Sequence, residues 1–120
     1  LFCVALSFWA FKPARMEGKA VFMQVTTIES IIPGGTGRSR MFTTEMSGQQ
    51  QEFVMENFYS MVGINMKNIQ LNERLIIEKL NAYANEGWQV VSVTTGVQSP
   101  SEGNSQGIFL TRYLLSKTVD

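Results

Sequence analysis

The sequence has no histidine, a single cysteine and no excess of charge of either sign. Without histidine there is no imidazole base, which excludes Ser-His-Asp and Cys-His catalysis. The lone Cys3 cannot form an internal disulfide, and a zinc site would have to combine one thiolate with carboxylates, a set that zinc rarely accepts. The composition therefore predicts a protein that is not an enzyme and that holds no metal and no cofactor.

Ten basic and ten acidic side chains give the 120 residues a formal net charge of zero. A neutral balance provides no basic field, so we do not expect nucleic acid as a partner. With 44% hydrophobic and 17% charged residues, the chain has the composition of an ordinary globular domain with one core.

The first eleven residues, 1–11, carry no charge and are mostly apolar. This run is too short to span a bilayer, which takes about 20 residues, but it fits the apolar part of a secretory signal. We therefore predict export to the periplasm, cell envelope or secreted space, with membrane contact only through an uncleaved leader. The alternative is a cytoplasmic protein in which the run is a first strand or an apolar arm. Residues 1–19 are predicted as leader and linker, 20–117 as one domain and 118–120 as a tail.

Five segments have the β-branched and aromatic residues that are typical of strands. The Gly- and Pro-rich segments 33–37 and 96–107 are predicted as loops. After Ser47-Gly48, a hairpin return is favoured over a helix from Gly48 to Val62, because these two residues are a turn signal. Residues 58–68 lack a clean period and are predicted as a buried connection. Strands are predicted at residues 21–32, 38–46, 52–55, 88–95 and 108–115.

One amphipathic helix is predicted before Gly87, the residue type that most often ends helices in a left-handed conformation. Asn72 is the predicted N-cap, with Glu73 in the first turn where the helix dipole favours an anion. Leu71 and Ile76 are predicted to form a hydrophobic staple. The predicted apolar stripe of this helix is Leu75, Ile76, Leu80, Tyr83 and Ala84.

The predicted element order is β-β-β-α-β-β, which favours an α+β domain. We expect an antiparallel sheet of about four to five strands with one main helix packed on one face. Trp88 follows the helix end directly, so its indole is predicted to lie under the helix that it has just left.

The run Leu80–Val93 (LNAYANEGWQVVSV) resembles the helix-Glu-Gly-Trp-strand core of the family known as domain of unknown function 4177. Gln89 replaces the usual Glu of that family, and Phe109-Leu110-Thr111-Arg112 stands where its closing strand falls. The resemblance implies a fold and an exported compartment, and it carries over no catalytic residue. The residues to which we assign structural roles are Asn72, Gly87, Trp88 and Arg112. Three flanking segments are similar to short exported proteins of Bacteroidetes type: Pro33–Arg40, Asn57–Asn65 and Gly107–Tyr113.

The segment Gly34–Arg40 is the candidate ligand site. Glycines let backbone N–H groups converge on an anion, and two arginines one residue apart add positive charge. The alternative is a flexible hairpin whose arginines keep a strand soluble. The candidate binding residues are Gly35, Gly37, Arg38, Ser39 and Arg40.

The remaining polar and apolar side chains favour structure over chemistry. Glu45, Glu52 and Glu56 are predicted to lie on a solvated face, since no sequence feature predicts a pocket around them. The methionines are predicted to fill the core, although exposure of several of Met41, Met55, Met61 and Met66 together would indicate a partner surface. The favoured function is a binding or assembly module that forms a homodimer or binds an envelope protein. The alternative is an anion or small-ligand sensor.

Overall fold

The computed structural model of the protein describes residues 18–32, 38–46, 48, 50–98 and 107–120. The predicted leader, the candidate residues Gly35 and Gly37, and the turn residue Ser47 lie outside this part of the chain. The predictions that fall on them stay predictions.

The described residues form a five-stranded antiparallel sheet, a two-stranded hairpin and one helix. The main sheet has the order β3-β2-β1-β7-β6. This arrangement confirms the α+β class and the antiparallel sheet, but the predicted element order lacked the small hairpin of β4 and β5. The elements are β1 (Lys19–Ser30), β2 (Arg40–Glu45), β3 (Gln51–Val54), β4 (Tyr59–Ser60), β5 (Gly63–Ile64), α1 (Met66–Asn85), β6 (Gln89–Gln98) and β7 (Ile108–Val119).

The central strand β1 organises the core because it pairs with β2 on one side and along its whole length with β7 on the other. Alternate residues of a strand point to the same face, so Met23 and Val25 share one face with their β7 partners Leu115 and Tyr113. The buried hydrophobic residues of the core are Met23, Val25, Met41, Met55, Trp88 and Leu115.

The helix begins earlier than predicted, at Met66, and its N-cap is Asn65, whose side chain accepts a hydrogen bond from the backbone N–H of Asn68. The predicted N-cap Asn72 is therefore wrong, because this residue lies inside the helix and is buried. The first turn contains no acidic residue, so Glu73 does not have the predicted role. The predicted staple is also wrong, since Leu71 is an exposed residue within the helix.

The end and the apolar face of α1 agree with the prediction. Gly87 has a φ of +97°, and its N–H and that of Trp88 donate to the carbonyls of Ala84 and Tyr83. This is a Schellman motif, which satisfies carbonyl groups that the helix end leaves free. Trp88 is 4% exposed and belongs to the core, as predicted. The predicted stripe packs on the core through Leu75, Ile76, Leu80 and Tyr83, whereas Ala84 is exposed.

The favoured hairpin is confirmed, because β3 pairs with β2 in an antiparallel register. The predicted buried connection at 58–68 is wrong: it contains β4, β5 and the start of α1, and Met61 is 86% exposed. Strand β6 continues past Thr95 to Gln98, and β7 continues to Val119, where a tail was predicted. Strand pairing explains both extensions. The last residues of β6 form pairs with β7, and the last residues of β7 form pairs with β1.

Candidate functional site

The arginines of the candidate anion site border one open depression of about 450 Å³ at the end of β2. Arg38 is exposed there, whereas Arg40 donates to Glu52 at 2.7 Å in an ion pair. The paired Glu52 carboxylate offsets the charge that Arg40 would present to an anion. The depression is lined by Arg38, Ser39, Arg40, Glu52, Val54, Met55 and Asn57.

Ser39 is buried and has hydrogen bonds on both sides of its hydroxyl. The Oγ atom accepts from the backbone N–H of Ser30 at 2.8 Å and donates to Asn57 Oδ1 at 2.7 Å. Its backbone carbonyl accepts from the N–H of Met55. These contacts make Ser39 a link between β1 and the segment after β3, and they favour a structural role over ligand binding.

The polar centre of the fold is Asn72, which the sequence prediction placed at the helix start. Its Oδ1 accepts from the N–H of Glu56 at 2.8 Å, and its Nδ2 donates to the carbonyl of Glu56 at 2.8 Å. The same Nδ2 also donates to Glu29 Oε2 at 2.9 Å. Asn72 lies three and four residues before Leu75 and Ile76, so it shares their apolar face once the helix is known to extend through it.

Glu29 is a partly buried carboxyl group in β1, and its surroundings shift its pKa. Burial raises the pKa of its carboxyl above the usual value, the hydrogen bond from Asn72 lowers it, and the charge of Glu73 raises it. Burial and the nearby Glu29 likewise raise the pKa of Tyr113. Burial also raises the pKa of Tyr83, while a hydrogen bond with Thr43 lowers it. Tyr83 belongs to α1, and Glu29 and Tyr113 lie on strands that face this helix. The described residues hold no cluster of three potential metal ligands.

The most exposed regular element is β6, an edge strand of the main sheet. All ten of its residues are exposed, and none is charged. Its four valines, Val90, Val91, Val93 and Val97, are 46%, 53%, 51% and 55% exposed. A register shift between Val90 and Ser92 marks a β-bulge, after which the pairing with β7 is regular to Gln98.

One face of the main sheet carries the core and α1. On this face, α1 does not cover β6. Val93 pairs with Tyr113, and Tyr113 lines a shallow apolar groove of about 220 Å³ along α1. Glu73, Ile76 and Ile77 form the helix side of this groove, and Ile77 is exposed. We name the surface of Val90, Val93, Val97 and Ile77 the valine ledge. It runs beside the β6 edge of the sheet that the described residues form.

The four methionines singled out in the sequence divide into two pairs. Met41 and Met55 are buried in the core, and Met61 and Met66 are exposed on the β4–β5 hairpin and the start of α1. Core packing thus holds for Met41 and Met55, and the exposure that would indicate a partner surface is limited to Met61 and Met66. Arg112 is exposed in β7 on the face opposite the helix, between Thr26 and Thr94 in the register.

Comparisons of the chain with protein-family models, with curated proteins and with solved structures find no match. The resemblance to domain of unknown function 4177 thus stays a prediction. Among the described residues, α1 lacks the length of apolar sequence that a bilayer crossing needs.

Proposed function

We propose that the protein is a non-catalytic binding or assembly module of the cell envelope or secreted space, which recognises an extended strand by adding it to β6. The observation that carries this proposal is that β6 is an uncharged edge strand exposed along its whole length. An edge strand presents unpaired backbone N–H and C=O groups to any strand that can lie beside it.

The two edges of the sheet differ in a way that supports this proposal. Folded proteins usually protect an edge strand by keeping it short or by placing charges on it. The opposite edge, β3, has both protections, since it spans Gln51–Val54 and carries Glu52 in an ion pair with Arg40. In β6 the bulge between Val90 and Ser92 protects one end, while Ser92–Gln98 is regular and uncharged.

The valine ledge gives an added strand an apolar surface to cover. Burying the exposed half of one valine contributes about 1 kcal/mol, so the ledge supplies several kcal/mol in addition to the backbone hydrogen bonds. A partner strand with β-branched residues on one face would fit this arrangement. Specificity would then come from the spacing of Val93 and Val97 on one face of β6.

A photo-cross-linking residue at Thr95 tests this function in cells that make the protein, with the same probe at Gln51 of β3 as the control. We expect a discrete adduct from Thr95 and little from Gln51. The added substitution Val93→Lys should reduce the Thr95 adduct, whereas Thr44→Lys, exposed on β2, should leave it unchanged. Absence of any adduct at Thr95 would contradict the proposal.

The alternative function is an anion or small-ligand sensor, supported by the position of Arg38 and Arg40 around one depression. Isothermal titration with phosphate, sulfate and an acidic peptide tests it. Heat that disappears in Arg38→Ala would support the sensor function, and no heat with any of the three would contradict it.

A further inference from the structure

We infer that the strand which β6 accepts is β6 of a second copy of this chain, paired antiparallel about a two-fold axis at Thr95. The inference rests on the proposed function and adds the identity and register of the partner. The resulting dimer has a continuous sheet of ten strands, with both helices on the same face.

The pleat and the bulge together determine the position of the axis. Directly opposed residues in an antiparallel pair point to the same face, so a two-fold pairing is centred on a residue and not between two residues. The regular part of β6 is Ser92–Gln98, because the bulge lies on its N-terminal side. On the other side the sequence reaches Pro100, which has no N–H to give to a ladder. The midpoint of Ser92–Gln98 is Thr95.

This register matches the side chains of β6 with one another. Val93 lies opposite Val97 of the second copy, and Thr95 lies opposite Thr95. Thr–Thr pairs and pairs of β-branched residues are favourable across antiparallel strands. On the other face, Thr94 lies opposite Gly96 and meets no Cβ there.

The absence of charge on β6 favours a second copy over a different partner. Identical strands bring identical charges together, and like charges opposite each other destabilise a sheet. Strand β6 has no charged residue, so its self-pairing carries no such penalty. The position of α1 also agrees with such a dimer, because the valine ledges of the two copies would meet between the two helices. A single strand pair lies near the lower end of stable interface areas, about 1,200 Å², so we expect self-association in the micromolar range.

Disulfide trapping tests the register. The Cys3→Ser background removes the single natural cysteine, and Thr95→Cys then places two thiols at the axis. Opposed Cα atoms are about 4.5–5.5 Å apart, within the range of a disulfide. Thr94→Cys is the matched control, because its two Cα atoms would be about 8 Å apart, beyond that range.

Under mild oxidation we expect Thr95→Cys to form covalent dimers at least about tenfold faster than Thr94→Cys. A mixture of Val93→Cys and Val97→Cys should cross-link faster than either variant alone, which checks the register away from the axis. Circular dichroism of each variant establishes that it is folded. Equal rates for Thr95→Cys and Thr94→Cys, or a monomer at 100 micromolar or so in sedimentation, would overturn the inference.

The photo-cross-link at Thr95 separates failure of the inference from failure of the proposed function. An adduct larger than a dimer, with no dimer in the disulfide experiment, overturns the second copy and keeps strand addition at β6. No adduct and no disulfide dimer overturn both.

Discussion

Asn72 joins three parts of the protein at one buried point. Its amide binds both backbone groups of Glu56, as a neighbouring strand would, and it also donates to Glu29 of β1. The side chain therefore fixes the segment after β3 against α1 and against the centre of the sheet. A buried backbone group without a hydrogen-bond partner costs free energy, so the contacts of Asn72 with Glu56 stabilise the fold.

Replacing Asn72 by alanine should lower the free energy of unfolding by about 2–4 kcal/mol, since three hydrogen bonds lose their partner together. Denaturant unfolding measures the change. Asn81→Ala is the matched control, because Asn81 is exposed in the same helix and its loss should change stability by less than about 0.5 kcal/mol. Equal effects of the two substitutions would show that the Asn72 contacts do not hold the fold together.

The Glu29 carboxyl should make stability depend on pH in an unusual direction. Burial raises its pKa in the folded protein, so between the unfolded value near 4.5 and the raised value the folded state binds more protons. Its contribution to stability is therefore largest below the unfolded pKa and falls as the pH rises through the folded pKa.

Glu29→Gln keeps an oxygen that can accept from Asn72 and removes the charge. We expect this variant to be more stable than the parent at pH 7 and equal to it at about pH 3, measured by thermal unfolding across that range. A parent stability that rises with pH relative to Glu29→Gln would contradict the assignment.

For individual residues, the sequence predicted the packing positions better than the polar contacts. Trp88 and Gly87 follow from a helix end beside a strand, which is a local pattern. Asn72 and Ser39 have hydrogen-bond partners far away in the chain, at Glu29, Glu56 and Asn57. Because an asparagine is equally suited to a helix cap and to a buried contact, its neighbours in the sequence could not distinguish the two roles.

The end of α1 depends on a backbone conformation and not on space. Gly87 has a φ of +97°, but a Cβ added there would lie 4.0 Å from the nearest atom, the Cδ of Lys117. We expect Gly87→Ala to lower stability by about 1–2 kcal/mol through strain at positive φ alone. Gly96→Ala is the matched control, because Gly96 has open space and no positive φ, so its loss should be neutral or slightly stabilising. Thermal unfolding of both variants measures the difference. A Gly87→Ala variant as stable as the parent would contradict the strained conformation.

Elements with a strong local signal were predicted closely, and the errors have physical causes. The main strands alternate or carry β-branched runs, and Gly87 ends the helix at a fixed point. The β4–β5 hairpin was missed because its turn, at Met61 and Val62, is apolar where turns are usually polar. The helix start was misplaced because Asn65 and Asn72 are equally good caps in sequence, and only the packed structure distinguishes them.

In the main sheet, the first described strand of the chain, β1, lies next to the last one, β7. Lys19 pairs with Val119 at one end of the β1–β7 ladder. A circular permutant that begins at Gly107, continues from Asp120 to Gly18 through a short linker and ends at Gln98 should therefore fold. A hairpin loop of about 2–5 residues is long enough for the new connection.

We expect this permutant to unfold cooperatively with a denaturant slope close to that of the parent, since the described helix and strands bury the same surface in both. The control is a permutant opened between Thr26 and Thr27 in the middle of β1, where both residues are buried, and it should not fold. Loss of cooperative unfolding in the first permutant would show that the sheet needs either the β6–β7 connection or residues 1–17, which this permutant also lacks.

The central ladder also has a consequence for biosynthesis. Strand β1 meets β7 only across a separation of roughly 80 to 100 residues, so one side of the middle strand stays open until β7 is made. At about 5–20 residues per second, that interval lasts several seconds, longer than hairpins need to form. The main sheet therefore stays incomplete until β7 has been made. If the protein is exported, as we propose, transport before that point would not require the finished sheet to unfold.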